Sequence, residues 1–163
     1  MKFERLQPEL HDRKSFDCGD AALNLYLRQF ANQDQNRGLC RVHVLADRQR
    51  IVGYYSISAY SVATDELADQ ARTGAYRDLP FLLLGRLAVD QSFQGQGFGD
   101  ALIIHVFKTT VEAADKVGIF GMIVDAKDER AAGFYERFGF KRLSASKNRL
   151  VLPFSAIKKL VQP

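Results

Sequence analysis

The stretch over residues 82–106 constrains most what this chain can fold into. An apolar run rich in leucine and valine ends at Asp90, three alternating glycines follow at Gly95, Gly97 and Gly99, and a helical pattern begins at once. Glycine lets a backbone come close to a ligand, and the first N–H groups of a helix have no partner inside it. The stretch therefore predicts a buried strand, a phosphate-binding loop and a helix.

Two common phosphate loops do not fit these glycines. A dinucleotide-binding fingerprint needs a further glycine at the position of Asp100 or of Leu102, depending on where it starts. A P-loop needs Gly-Lys followed by Ser or Thr, which the chain lacks. A phosphate loop of another kind remains, and its alternative is an ordinary glycine-rich connection between a strand and a helix.

Length and composition bound the class of protein. A chain of 163 residues with 47% hydrophobic residues predicts one globular domain over residues 1–163. The first five residues lack the apolar stretch of a signal peptide, and Arg86 interrupts the most apolar segment, so we expect a cytoplasmic protein with no membrane span. Cys18 and Cys40 show no metal-ligand spacing and the three histidines are scattered, so we expect no metal site and no disulfide framework.

The positive charge is concentrated at one end of the chain. The net charge is +4, and from residue 127 onward nine Lys and Arg stand against three Asp and Glu. The first 126 residues therefore carry a balance of −2. A basic C-terminal region indicates an anionic partner, and the alternative is a solvated basic surface with no partner.

Periodicity predicts the remaining elements in order. A weak strand covers residues 3–6, and a helix capped by Asp17 or Asp20 precedes a flexible polar link at 32–38. Residues 39–46 and 51–62 should pair as an antiparallel hairpin, and residues 64–80 should form a loop with a short helical turn at most. The later elements are a helix over 97–117, a strand over 119–125, a helix from Asp128 to Gly139, strands at 140–143 and 149–152, and a helix over 155–161.

The glycine loop resembles that of a known enzyme family. Gln94-x-x-Gly97-x-Gly99, placed directly after a strand that ends in Leu87-Ala88-Val89-Asp90, is similar to the acetyl-coenzyme A loop of the GCN5-related N-acetyltransferases (GNAT). The order of predicted elements also resembles that family. The resemblance implies the GNAT α/β fold, with a central mixed, mostly antiparallel sheet flanked by helices, and acetyl-coenzyme A as the cosubstrate without a metal.

The resemblance also implies roles for individual residues. The pantetheine arm would lie along Leu87, Ala88 and Val89, and the backbone N–H of Val89 would polarise the thioester carbonyl. The pyrophosphate would bind the N–H groups at the start of the helix. These groups belong to Gln94, Gly95, Gln96, Gly97, Phe98 and Gly99.

Acetyl transfer also needs a proton for the departing thiolate, and Tyr135 is the candidate donor because family members place a tyrosine there. A phenol with a pKa of about 10 stays protonated at neutral pH. The alternative is a packing role, since Tyr135 lies on the apolar face of its helix. Asp125 and Glu136 are weak candidates for a general base; an α-amine with a pKa of about 8 would need little help from one.

Three stretches narrow the resemblance, at residues 16–28, 53–57 and 85–90. Together they resemble the acetyltransferase toxins of bacterial toxin-antitoxin pairs. That resemblance implies acetylation of the α-amine of an aminoacyl-tRNA, which blocks translation. It further implies a homodimer and inhibition by a small DNA-binding antitoxin of the ribbon-helix-helix type.

A tRNA substrate would give the basic residues a purpose, since phosphate neutralisation supplies most sequence-independent affinity for nucleic acid. Arg86 stands out because a charge in an apolar strand needs a partner or a ligand, whereas Asp78 after Arg77 weakens the basic character of that loop. The candidate tRNA contacts are Arg77, Arg86, Lys127 and Arg130, followed by Arg72, Arg137, Lys141 and Arg142.

Two other functions stay open at this point. One is an acetyltransferase for a small-molecule amine or a protein N-terminus, and the other is a binding module that keeps the fold without catalysis. Growth arrest of a host that expresses the chain would favour the toxin over the first, and failure to bind acetyl-coenzyme A would favour the second.

Overall fold

The structure is a computed structural model that describes residues 1–67, 76–143 and 148–162. Its strands are β1 (Lys2–Arg5), β2 (Arg41–Asp47), β3 (Arg50–Ala63), β4 (Asp78–Val89), β5 (Gly121–Asp125), β6 (Lys141–Arg142) and β7 (Arg149–Pro153). Its α-helices are α1 (Ala21–Leu25), α2 (Ala31–Asn36), α3 (Thr64–Leu67), α4 (Phe98–Ala114), α5 (Glu129–Glu136) and α6 (Phe154–Val161). A π-helical segment, Tyr26–Phe30, joins α1 to α2, and a 3₁₀ turn, Gln91–Phe93, follows β4.

The strands form a mixed sheet of seven strands in the order β1-β2-β3-β4-β5-β7-β6. β1 pairs antiparallel with β2, and β2 with β3. β4 and β5 run parallel, with Phe81 opposite Gly121, and β7 pairs antiparallel with both β5 and β6. The predicted fold class, a mixed and mostly antiparallel sheet with helices, is confirmed.

The first helical region is longer than the sequence predicted. Asp20 is the N-cap and accepts hydrogen bonds from the N–H groups of Ala22 and Leu23. The predicted link at 32–38 is wrong in its first part, because α2 continues to Asn36. A buried Gln35 explains the difference, since its side chain donates to Leu6 O and accepts from Val42 N and so holds this polar turn against β2.

The predicted loop at 64–80 is also corrected at its end. The short helical turn exists as α3, but β4 already starts at Asp78. Phe120 donates its backbone N–H to Pro80 O, which is a ladder contact that a local sequence pattern does not reveal. Residues 68–75 lie outside the described residues, and the other predicted elements are found within a few residues of their predicted bounds.

The described chain divides into two compact units. Unit 1 comprises Met1–Ser58 and Gly85–Val106, and unit 2 comprises Ala59–Leu84 and Phe107–Pro163. The single domain expected from the length of the chain stays a prediction. In the described ranges, no helix is both long and apolar enough to span a bilayer.

Each unit has its own buried cluster. In unit 1, Phe16, Tyr26, Leu27, Tyr54 and Ala88 belong to one cluster with residues of β2. In unit 2, the cluster includes Phe81, Ile123 and Val151 from three paired strands. An aromatic group in unit 2 also surrounds the end of α5. Its members are Phe107, Phe134, Tyr135, Phe138 and Phe140.

Candidate functional site

The glycine loop of unit 1 begins where β4 ends. Val89 is the last strand residue, and Gln94 donates its side-chain amide to Val89 O at 2.8 Å and to Cys18 O at 3.0 Å. Gln96 reaches back to Ser92 O at 3.2 Å. The two glutamines therefore fasten the loop through their side chains and leave its backbone N–H groups to other partners.

Those N–H groups are the main chemical feature of unit 1. From Gly95 to Gly99 the backbone N–H groups donate to no acceptor among the described residues, and the first helical bond runs from Ala101 N to Gly97 O. Gly95 and Gly97 have φ values of 75° and 87°, which favour glycine, and a Cβ at either would meet open space. A run of unpaired donors at a helix start fits a phosphate or pyrophosphate group.

Asp90 positions this loop, a role that the sequence interpretation missed. Its carboxylate is 5% exposed and accepts from Ser92 N at 2.9 Å and from Asp17 N at 3.0 Å. One side chain therefore caps the turn after β4 and also ties that turn to the segment before α1. A signal existed, because an aspartate directly before a turn commonly accepts the N–H two residues on, but the link to Asp17 needs the tertiary structure.

Arg86 finds a partner within unit 1. Its guanidinium carbon lies 3.4 Å from the centroid of the Tyr26 ring, a cation–π contact. The Tyr26 hydroxyl donates to Asp34 Oδ2 at 3.0 Å and also lies 3.3 Å from Cys40 Sγ, and burial raises the pKa of this hydroxyl above its usual range. The predicted need of Arg86 for a partner is therefore met by an aromatic face, while the described residues offer it no carboxylate.

Tyr135 is described within unit 2. It is 7% exposed on α5 and packs edge-on against Phe134 and Phe140 at centroid distances of 5.2 and 5.6 Å. Burial raises the pKa of its hydroxyl above the usual range, so the phenol stays protonated at neutral pH. The hydroxyl makes no hydrogen bond to any described residue. Packing accounts for the ring, while the hydroxyl oxygen keeps some exposure to solvent, since it is not among the buried side-chain atoms without a partner.

The two candidate bases are both bound to arginines. Asp125 accepts two hydrogen bonds from Arg149, at 2.7 and 2.9 Å. Glu136 accepts two from Arg142, at 3.2 and 2.9 Å. Such ion pairs stabilise the ionised carboxylate and hold it in place, which fits a structural role.

The remaining predicted tRNA contacts differ in what surrounds them. Arg77, Lys127, Arg130 and Lys141 are exposed. Arg137 lies over the rings of Phe134 and Phe138, and Arg142 also binds Glu129. Arg72 lies outside the described residues. The described ranges contain no group of three or more His, Cys, Asp or Glu side chains that could hold a metal ion.

Comparison with known proteins identifies the family. Residues 38–142 match the family model described as an acetyltransferase (GNAT) domain. The tRNA-acetylating toxin of Mycobacterium tuberculosis is 35% identical over 130 residues, which cover 80% of this chain and 78% of that protein. The residues that match the family model include β4, the glycine loop and α5.

Two solved structures resemble the whole chain. AtaT complexed with acetyl-methionyl-tRNAfMet is 31% identical with a TM-score of 0.89 and covers 98% of each chain. A tyrosine-to-phenylalanine mutant of the AtaT toxin, bound to the C-terminus of the antitoxin AtaR and to acetyl-CoA, is 31% identical with a TM-score of 0.85 and covers 99% of this chain and 98% of that one. On the matched domain, the relative and the shared fold, the chain belongs to the acetyltransferase (GNAT) domain family.

Proposed function

We propose that the protein transfers the acetyl group of acetyl-coenzyme A to the α-amine of an aminoacyl-tRNA and so acts as a toxin that inhibits translation. The observation that carries the proposal is the run of backbone N–H groups from Gly95 to Gly99, which have no acceptor among the described residues. Such a run suits the pyrophosphate of coenzyme A. We assign the pyrophosphate to the loop from Gln94 to Gly99.

The strand before this loop would hold the rest of the donor. Leu87 and Val89 are half-buried and Ala88 is buried, so this strand end presents backbone groups at a partly covered surface. We assign the pantetheine arm to these three residues and polarisation of the thioester carbonyl to the N–H of Val89. As the amine attacks the carbonyl carbon, the C–S bond breaks and the leaving thiolate needs a proton.

Tyr135 would supply that proton. The lack of a hydrogen-bond partner among the described residues supports this assignment, because it leaves the hydroxyl available to donate. The phenol is protonated at neutral pH at its usual pKa, and burial, which raises that pKa, leaves it protonated. The amine that attacks must be neutral, and an α-amine is partly neutral near pH 7 because its pKa is about 8. An aminoacyl α-amine can therefore react without a strong general base, whereas Asp125 and Glu136 are held by arginines.

The acceptor class rests on the relatives. One is named a tRNA-acetylating toxin, and the structure of another contains acetyl-methionyl-tRNA. We propose Arg77, Arg86, Lys127 and Arg130 as contacts to the tRNA. We also propose a homodimer in the cytoplasm, inhibited by an antitoxin of the ribbon-helix-helix type. The complex of AtaT with the C-terminus of AtaR supports an antitoxin as a partner.

The test combines a labelled donor with defined acceptors. Purified protein is mixed with labelled acetyl-coenzyme A and a pool of charged tRNA, and label on the aminoacyl group is measured. We expect label on charged tRNA and none on uncharged tRNA. Label that appears only on small amines or on peptide N-termini would replace this proposal with the broader acetyltransferase function.

Substitution of Tyr135 by phenylalanine tests the assigned proton donor. We expect Tyr135→Phe to lower kcat by about 100- to 1,000-fold, within the range for loss of a general acid, while binding of acetyl-coenzyme A stays within about twofold. Tyr76→Phe is the matched control, because Tyr76 belongs to the same unit and is 70% exposed. Wild-type turnover by Tyr135→Phe would exclude Tyr135 as the donor.

A further inference from the structure

Unit 1 carries a second feature that the acetyl-donor loop does not include. Arg13, Lys14 and Arg28 line an open pocket of about 370 Å³ together with Asp12, Pro8 and Gln29. Three cations against one carboxylate give these side chains a formal charge of +2. We call this feature the basic pocket. It lies in the part of the sequence with a net negative balance, so a count of charges along the chain does not find it.

Asp12 offsets one of the three positive charges and also shapes the loop. Its Oδ1 accepts from the N–H groups of Lys14 and Ser15 at 3.1 and 3.2 Å, and its Oδ2 accepts from Ser15 Oγ at 2.7 Å. The hydrogen bonds from Ser15 hold the pKa of the Asp12 carboxyl below its usual range. The turn built on this carboxylate places Arg13 and Lys14 side by side in the chain at the pocket.

The two arginines are anchored but keep most of their donors. Arg13 Nη1 donates to Arg28 O at 3.2 Å, and Arg28 Nε donates to Asn24 O at 3.4 Å. None of Arg13, Lys14 and Arg28 lies within ion-pair distance of a described carboxylate, although Asp12 interacts electrostatically with Lys14 and Asp17 with Arg28. Each guanidinium thus donates one N–H to a backbone carbonyl, and its other N–H groups are available to a ligand. Three cations that meet at a pocket with one carboxylate leave a net positive charge, which suits an anion.

We propose that the basic pocket binds a phosphate group of the tRNA backbone and holds the substrate during acetylation; this inference rests on the function proposed above. The chemistry of the lining favours phosphate. Arginine forks match phosphate oxygens, and Lys14 and Gln29 add further donors. Pro8 is the one apolar residue of the lining, whereas a peptide partner would need apolar or aromatic anchors.

The openness of the pocket favours a nucleic acid over a small free anion. The buried polar residue of the lining, His11, has both ring nitrogens engaged: Nδ1 accepts from Gln7 N at 2.9 Å, and Nε2 lies 2.7 Å from Glu4 Oε1. A small anion would therefore meet only the outer cations, which water also reaches. Exposed cations such as these bind a polyanion through several charges at once, and the resulting affinity falls steeply with the salt concentration.

The experiment measures binding of fluorescently labelled charged tRNA between about 50 and 200 mM salt. The test protein carries Arg13→Gln, Lys14→Gln and Arg28→Gln. The control carries Arg37→Gln, Arg48→Gln and Lys116→Gln, three exposed cations outside the pocket whose loss changes the net charge equally. For the test protein we expect a Kd about tenfold weaker and a salt slope lower by about 1 to 2. We expect smaller changes for the control.

Three further arms separate the possible outcomes. Unchanged acetyl-coenzyme A binding shows that the triple variant is folded, and a higher KM for charged tRNA with the wild-type kcat supports the pocket. Equal tRNA binding by the test and control proteins would overturn the inference. The inference would also be overturned if the triple variant lost binding to polyglutamate or to inorganic phosphate but bound tRNA as the wild type does. If the wild type binds tRNA through the pocket but acetylates none, the proposed function fails and the pocket stands.

Discussion

Arg13 in unit 1 and Arg149 in unit 2 are both half-buried arginines, yet their charges are used differently. Arg149 donates to both oxygens of Asp125, to Glu66 at 3.0 Å and to the Tyr60 hydroxyl at 3.0 Å. Arg13 donates a single hydrogen bond to a backbone carbonyl. One arginine is therefore part of the framework of its unit, and the other keeps its donors for an external anion.

The same contrast extends to neighbouring cations. Arg142 binds Glu129 and Glu136, so two of the carboxylates at the C-terminal end are bound to one cation. Lys14 and Arg28 form no close ion pair with a described carboxylate and interact with Asp12 and Asp17 only at longer range. The basic C-terminal balance of the sequence thus does not show which cations of this end are already paired, and the acidic balance of the first 126 residues hides a basic pocket. The charge available to a ligand depends on pairing, which net charge does not report.

Removal of the Arg149 side chain should give the largest effect on stability. Arg149→Gln leaves Asp125 and Glu66 without their shared cation, and we expect a loss of about 2 kcal/mol in the free energy of unfolding. Arg13→Gln should cost less than about 0.5 kcal/mol. Urea denaturation monitored by circular dichroism measures both, and equal losses would show that the two arginines do not differ as described.

Low pH should give a further difference between the units, because unit 1 contains a partly exposed imidazole, His43, with one buried nitrogen that has no hydrogen-bond partner. His43 Nδ1 is buried with no hydrogen-bond partner, and the ring stacks on Tyr55 at 4.9 Å. Desolvation, with smaller contributions from His105 and Arg5, lowers the pKa of His43 to about 4. The unfolded chain binds this proton near pH 6.5, so the native state is favoured above that pH and loses stability as the pH falls toward 4.

The expected loss from His43 is about 1.5 kcal/mol, allowing for the partial exposure of the ring. Stability measured from pH 7 to 4.5 should fall less in His43→Phe than in the wild type. The phenyl ring keeps the stacking contact with Tyr55 and cannot be protonated. Identical pH profiles would mean that His43 is not protonated on unfolding in this range.

Loss of the Arg142 charge should have the smallest effect. Its two carboxylate partners are 72% and 44% exposed, so water replaces the lost hydrogen bonds in Arg142→Gln. We expect a smaller destabilisation than for Arg149→Gln and no change in the salt dependence of tRNA binding. A lower salt slope would show that Arg142 contacts RNA despite its ion pairs and would break the contrast between the two regions.

Local patterns predicted the elements that carry strong signals. The strand that ends at Val89, the glycine loop and α4 were predicted because an apolar run, glycines and helical spacing each report local geometry. The link at 32–36 was misassigned because Gln35 is held by β2 and Leu6 rather than by its neighbours. β4 was predicted too short because Pro80 obscured the start of the strand, where Pro80 O accepts from the backbone N–H of Phe120.

The sequence by itself determined the order of strands and helices and the glycine loop, since glycine conformation and hydrophobic spacing are properties of short segments. The mixed sheet was expected from the acetyltransferase resemblance that those features carry. Tertiary structure decided the cation–π contact of Arg86 with Tyr26, the hydrogen bond from Asp17 N to Asp90 and the partners of each arginine. Those contacts join residues far apart in the chain, and a side chain's charge becomes available or neutralised only when folding fixes its neighbours. The same glycine loop was therefore predictable, whereas the basic pocket was not.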